Sequence, residues 1–223
     1  MKLLLTSAGI TNASIRTALL DLLGKPIEES SALAIPTAMY GHPMVKPSGI
    51  YRFIFGQESE TPMVDLGWGS VGVMELTALP SIERQRWESW VHETDVFLVG
   101  GGDALYLAHW IRESGLFGLF PTFDDKVWVG LSGGSMALTP RIGTEFMGWQ
   151  PPSGDDRALG VVDFSIFPHL DHPVLKSNTL AAAEKWAAKL SGPAYAIDDQ
   201  TAFKVVDGTV EVVSEGQFHR FNG

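Results

Sequence analysis

Short apolar runs alternate along the chain with stretches whose apolar positions recur at helical spacing. Lys2 to Thr6 reads as a strand. Asn12 or Ser14 caps a helix carrying Ile15, Ala18, Leu19, Leu22 and Leu23, which Gly24 and Pro26 end. Ser31 to Ile35 is a second strand, stopped by Pro36. Residues 36–70 are rich in Gly, Pro, Met and aromatics and lack a period, which predicts an extended surface loop or lid. Strands follow at Gly72–Leu76, Asp95–Val99, Val127–Leu131 and Phe164–Phe167. Between and after them, helices are expected at Ile82–Val91, Ala104–Ser114, from Ser135 to Leu138, and at Leu175–Leu190. Ala202–Val206 and Val210–Val213 flank Asp207-Gly208, a hairpin signal.

Strands alternating with helices up to about residue 190 predict an α/β fold. Its doubly wound, mostly parallel sheet has helices on both faces, and the C-terminal hairpin adds antiparallel strands at one edge. The 223 residues are expected to form a single domain, 1–223. Hydrophobic residues make up 45% and charged residues 19%, a balance that excludes disorder.

The net charge of −10, with no cluster of Lys and Arg, argues against nucleic acid and membrane surfaces as partners. No apolar stretch approaches the ~20 residues of a membrane span. The apolar N-terminus is too short for a signal sequence and reads as the first strand, so a cytoplasmic enzyme is expected. The chain has no cysteine, which rules out disulfides, thiolate metal sites and a Cys nucleophile.

The strongest local signal is Gly130-Leu131-Ser132-Gly133-Gly134, after an apolar strand and before a helix-prone segment. It fits the nucleophile elbow G-x-S-x-G. A serine at a sharp strand-to-helix turn needs small neighbours, and the turn aims the amide of Gly133 at a developing oxyanion. The alternative is a purely structural turn. Val99-Gly100-Gly101-Gly102-Asp103 closes another strand. A phosphate cradle would require a lysine that is missing, so the amide of Gly101 or Gly102 is read as a second oxyanion donor. A simple tight turn is the competing reading.

A serine nucleophile needs a base. Phe167-Pro168-His169-Leu170-Asp171-His172 follows an apolar strand and so reaches the same sheet edge as Ser132. His169 is the first choice and His172 the second. A metal reading of His169, Asp171 and His172 lacks a supporting ligand cluster. His42, in the irregular segment, could touch substrate, whereas His92 and His109 lie in helical patterns and His219 in a frayed tail. Asp198 and Asp199 both offer an orienting carboxylate, with turn duty as the alternative.

Taken together, Lys2–Ser7, Val99–Asp103, Gly130–Ser135, Phe167-Pro168-His169 and Ile197–Ala202 resemble the S51 peptidase family of aspartyl dipeptidases (peptidase E) and cyanophycinases. The resemblance covers most of the chain. It implies a fold similar to class I glutamine amidotransferases and a Ser-His-acid triad that falls on Ser132, His169 and Asp199. The oxyanion donors would be the amides of Gly101 or Gly102 and of Gly133.

Two departures stand out. Gly133 replaces the family's usual Ala, which would loosen the elbow. Asp103 stands where aspartyl dipeptidases often have Asn, and it could repel an acidic substrate or bind its free amino group. An acid-selective pocket also needs a cation. Arg141 is the nearby candidate, with a plain surface role as its alternative.

The expected function is therefore a serine dipeptidase or exopeptidase acting on small peptides through an acyl-enzyme, without metal or organic cofactor; the resemblance further implies a preference for N-terminal Asp. A serine esterase, or a non-catalytic small-ligand-binding protein on the same fold, is the alternative. A monomer or homodimer is expected.

Overall fold

The computed structural model describes residues 1–57 and 61–223. Seven strands form the main sheet, in spatial order β3 (Ser70–Val73), β2 (Ser31–Ile35), β4 (Val96–Val99), β5 (Val127–Leu131), β1 (Lys2–Thr6), β8 (Thr201–Val206) and β9 (Thr209–Ser214). All pairs from β3 to β1 are parallel, and β8 and β9 are antiparallel. The doubly wound sheet with its terminal hairpin is thus as expected. The bounds of β1, β2 and β5 fall where the apolar runs do.

The central strands are apolar on both sides because both faces are covered. In β1, Leu3 and Leu5 pack on one face with Trp128, Phe97 and Phe203, while Leu4 packs on the other with Val129, Ile15 and Leu19. Helix α1 (Ala13–Leu23) supplies Ile15 and Leu19; its N-cap is Asn12, whose side chain accepts from the Ile15 amide. Helices α4 (Arg84–His92) and α5 (Ala104–Glu113) cover the opposite face through Trp87, Val91, Leu107 and Ile111.

Several expectations need correction. Residues 36–70 are not one irregular loop: α2 (Thr37–Gly41) and α3 (Pro47–Ile54) form there, and Ile50 and Phe53 of α3 are buried. Their helical signal is diluted by glycine and proline. The part of that segment at 58–60 lies outside the described residues. The long Ala-rich helix is shorter than expected, α7 (Leu180–Ala187), because Thr179 caps it. The C-terminal tail is not frayed: β10 (Phe218–Phe221) pairs antiparallel with β7 (Ala194–Ile197), placing His219 opposite Ala196.

β7 also pairs parallel with β6 (Ser165–Phe167), completing a second, three-stranded sheet over a small core of Phe167, Trp186 and Ala196. The segment before His169 therefore belongs to a separate sheet and not to the edge that carries Ser132. The turn from β7 back to β8 joins the two sheets. Among the described residues, no helix is long and apolar enough to cross a membrane.

Candidate active site

Register brings the functional segments together. Thr6 of β1 lies opposite Leu131 of β5 and Ala202 of β8, and β5 also pairs with β4, placing Val99 opposite Gly130. The residues that follow β1, β4 and β5 therefore meet at the carboxyl edge of the sheet.

Ser132 is the turn between β5 and α6 (Gly133–Met136). Its backbone has φ 49° and ψ −110°, a left-handed conformation costly for a residue with a Cβ. The main chain holds the turn on both sides: the Ser132 amide donates to the Thr6 carbonyl at 3.0 Å, and the Met136 amide donates to the Ser132 carbonyl at 2.9 Å. The helix begins directly after the serine, two residues earlier than Ser135.

The two glycine-rich turns touch. A Cβ on Gly133 would lie 2.3 Å from the Gly102 carbonyl oxygen, and one on Gly102, where φ is +130°, would lie 2.3 Å from that of Ala38. Gly133 therefore does more than loosen the elbow: it lets the Gly101-Gly102 turn close against the nucleophile turn. Among the described residues, the amides of Gly101, Gly102 and Gly133 take no part in the turn and loop hydrogen bonds around them. Replacing Gly133 with Ala should push the turns apart. We expect a loss of about 10²-fold or more in kcat, measured on protein matched for folded content. A destabilisation of about 1–3 kcal/mol should show in a denaturant melt.

His169 follows β6 and Pro168, with φ 57°. Its Nε2 lies 2.9 Å from Ser132 Oγ, and its Nδ1 lies 2.7 Å from Asp199 Oδ1. Asp199 sits in the turn from β7 to β8. Burial raises its pKa, but the hydrogen bond and charge of His169, the hydroxyl of Ser7 and the charge of His172 outweigh that and hold the carboxyl below its ordinary range. Asp198 does turn duty instead: its carboxylate accepts from the Gln200 and Gln217 amides and from the Thr201 hydroxyl.

His172 is the second imidazole at Asp199, with Nε2 3.5 Å from Oδ2. Its Nδ1 accepts from the amides of Val174 and Leu175. The ring is thus directed at the carboxylate. Ser7, which drew no attention as a sequence position, is fully buried beside this group and donates to Asp199 Oδ1 at 2.7 Å.

The two residues expected to contact substrate are engaged elsewhere. Asp103 is buried as the N-cap of α5; one carboxylate oxygen accepts from the Tyr106 amide and the other from the Trp149 amide. It thus closes a helix and anchors a loop. The Arg141 guanidinium is paired with the buried Asp156, which also accepts from the Gly143 amide at 2.9 Å. That pairing raises the arginine pKa further.

Two cavities open on either side of Ser132 and His169. One, of about 580 Å³, is lined by Met39, Lys46, Ser48, Arg52, Phe53, Thr61 and Gly101. The other, of about 310 Å³, is lined by His42, Ala104, Met136, Phe146, Leu175 and Asn178. Val45, Gly102, Ser132 and His169 border both. Asp103 and Arg141 line neither. His42 borders the smaller one.

A serine on a strained strand-to-helix turn of a doubly wound sheet, with an imidazole and a carboxylate in file behind it, is the arrangement of the serine hydrolases as a class. Within that class a profile of peptidase family S51 matches residues 3–213, and the chain belongs to that family of serine-type peptidases. Among solved structures, a peptidase E candidate from Listeria monocytogenes EGD-e superposes with a TM-score of 0.68 at 16% identity, covering 96% of this chain and 98% of that one. A peptidase from an acI-B1 Actinobacterium superposes with a TM-score of 0.68 at 20% identity, covering 98% of this chain and 89% of that one. At such identities these structures speak for the shared fold. No curated protein matches the chain.

Proposed function

We propose that the protein is a serine exopeptidase that cleaves small peptides through an acyl-enzyme, with Ser132 as nucleophile, His169 as general base and Asp199 as the orienting acid. The observation that carries this reading is the unbroken file from Ser132 Oγ to His169 Nε2 at 2.9 Å and from His169 Nδ1 to Asp199 Oδ1 at 2.7 Å.

With the Nδ1 proton donated to Asp199, Nε2 is free to accept the serine proton. Ser132 Oγ then attacks the peptide carbonyl, and the oxygen that becomes negative is met by the amides of Gly133 and of Gly101 or Gly102. The imidazolium returns its proton to the leaving amine, which departs as the acyl-enzyme forms. Water, deprotonated by the same imidazole, releases the acid product and restores the serine. No step calls on a metal or an organic cofactor.

A cavity of about 580 Å³ suits a small peptide. The Asp preference belongs to this proposal too, but through another side chain than Asp103 and Arg141: Lys46 lines the larger cavity, where its ammonium can meet an acidic side chain. A fluorophosphonate probe should label the folded protein covalently, and peptide mapping should place the adduct on Ser132. Repeated failure to label folded protein would favour a non-catalytic binding role. A dipeptide library then reads specificity. Asp-X substrates are expected to exceed neutral X-X substrates in kcat/KM, and Lys46→Ala should narrow that gap; an equal rate on both sets would remove the acidic preference.

A further inference from the structure

Ser7 occupies the position next to the end of β1, between the nucleophile turn and the start of β8: the Thr6 carbonyl accepts from the Ser132 amide, and the Ser7 amide donates to the Thr201 carbonyl. Its side chain is fully buried. Three groups surround the hydroxyl. The His169 main-chain amide donates to Ser7 Oγ at 2.8 Å, His169 Nδ1 lies 3.5 Å away, and Asp199 Oδ1 lies at 2.7 Å.

These neighbours leave the hydroxyl one arrangement. The backbone N–H of His169 can only donate, so it takes a lone pair of the Ser7 oxygen. Nδ1 carries the proton that it gives to Asp199, so it offers Ser7 no acceptor. The hydroxyl proton is then directed to Asp199 Oδ1, the same oxygen that receives the His169 Nδ1 proton. One oxygen atom thus ties the main chain of the base to the side chain of the acid. The tie matters because His169 has φ 57°, a conformation that an L residue keeps only when its surroundings hold it. It also spans elements that local structure cannot align, since Ser7, His169 and Asp199 come from three separate segments on two sheets.

We propose that Ser7 is a positioning residue of this site, fixing His169 and Asp199 relative to each other so that Nε2 stays aimed at Ser132. The inference rests on the triad reading given above. It concerns alignment during catalysis and not substrate binding, because Ser7 lines neither cavity at Ser132.

The test is steady-state kinetics on Ser7→Ala, with active sites counted by fluorophosphonate titration. Loss of one well-placed hydrogen bond should lower kcat about tenfold with KM nearly unchanged. In an Asp199→Asn background the same substitution should cost almost nothing, because the partner through which Ser7 acts is already gone. Ser7→Cys keeps the bulk but donates weakly, so its kcat should fall like that of the Ala variant. A kcat per titrated site equal to wild type in both variants, or a Ser7→Ala loss that multiplies in full with that of Asp199→Asn, would overturn the proposal. Failure of the underlying reading looks different: Ser132→Ala would then keep its activity whatever Ser7 does.

Discussion

Ser132→Ala is expected to lower kcat by about 10⁴- to 10⁶-fold, the range seen when a nucleophile is removed from such a group. The fold should survive. Ser132 Oγ makes one side-chain hydrogen bond, to His169 Nε2, and alanine tolerates the same backbone angles no worse than serine does. The melting temperature should therefore stay within about 2 °C of wild type. Residual turnover above the uncatalysed rate is expected, because in the proposed mechanism the amides of Gly133 and of Gly101 or Gly102 would still meet the oxyanion. The measurement is kcat on a dipeptide substrate beside a thermal melt. A variant with full activity would end the serine mechanism; a variant that is inactive because it is unfolded would be recognised by its melt.

Asp199→Asn is expected to be nearly as damaging, with a loss of about 10⁴-fold in kcat. The side chains have the same shape, so the loss would be one of proton placement. The carboxylate only accepts, which keeps the proton on His169 Nδ1. An asparagine can turn its amide toward Nδ1, and the ring proton then moves to Nε2, where it blocks transfer from Ser132. The Ser7 hydroxyl does not prevent this, since its oxygen can accept from that amide while its proton turns to the bare Nδ1.

The same substitution should change the response of stability to acid. Asp199 has its folded-state pKa below the ordinary value despite burial, because His169, Ser7 and His172 stabilise its charge. Such a group adds stability that is present above the unfolded-state pKa of about 3.9 and is lost as pH falls through the folded-state value. Asp199→Asn removes that contribution, so the difference in stability between wild type and variant should shrink as pH drops below about 4. Denaturant melts at neutral and acidic pH read it directly; a difference that grows toward low pH would contradict the sign.

Much of this was open to inspection in the residue order. The glycines around Ser132 and the apolar run before it announce a strand-to-helix turn, because sharp turns and buried strands impose local requirements on composition. The same holds for β1, β2 and β5, whose bounds follow their apolar runs. Asp103 and Arg141 illustrate the opposite case. An acid after a glycine turn serves equally as a ligand for a substrate amine or as a helix cap, and only the direction of its side chain separates the two. Here that direction leads to the Tyr106 and Trp149 amides. Arg141 likewise stands close to the nucleophile helix in sequence, but Asp156 holds its guanidinium. Lys46 does not stand out in the sequence because it lies in the segment with the weakest periodicity; its place as the N-cap of α3 is what brings it to the cavity wall.

The sequence by itself thus determined the doubly wound sheet, the position of the elbow and the pair of imidazoles after β6, since each depends on patterns within a few residues. Tertiary structure alone decided that β6, β7 and β10 form their own sheet, that Asp199 and not Asp198 reaches His169, and that Ser7 stands between them. Those outcomes depend on strand register between distant segments. A shift of one residue in β1 or β8 would turn Ser7 or Asp199 to the other face, and nothing in the neighbouring residues records which register the packing selects.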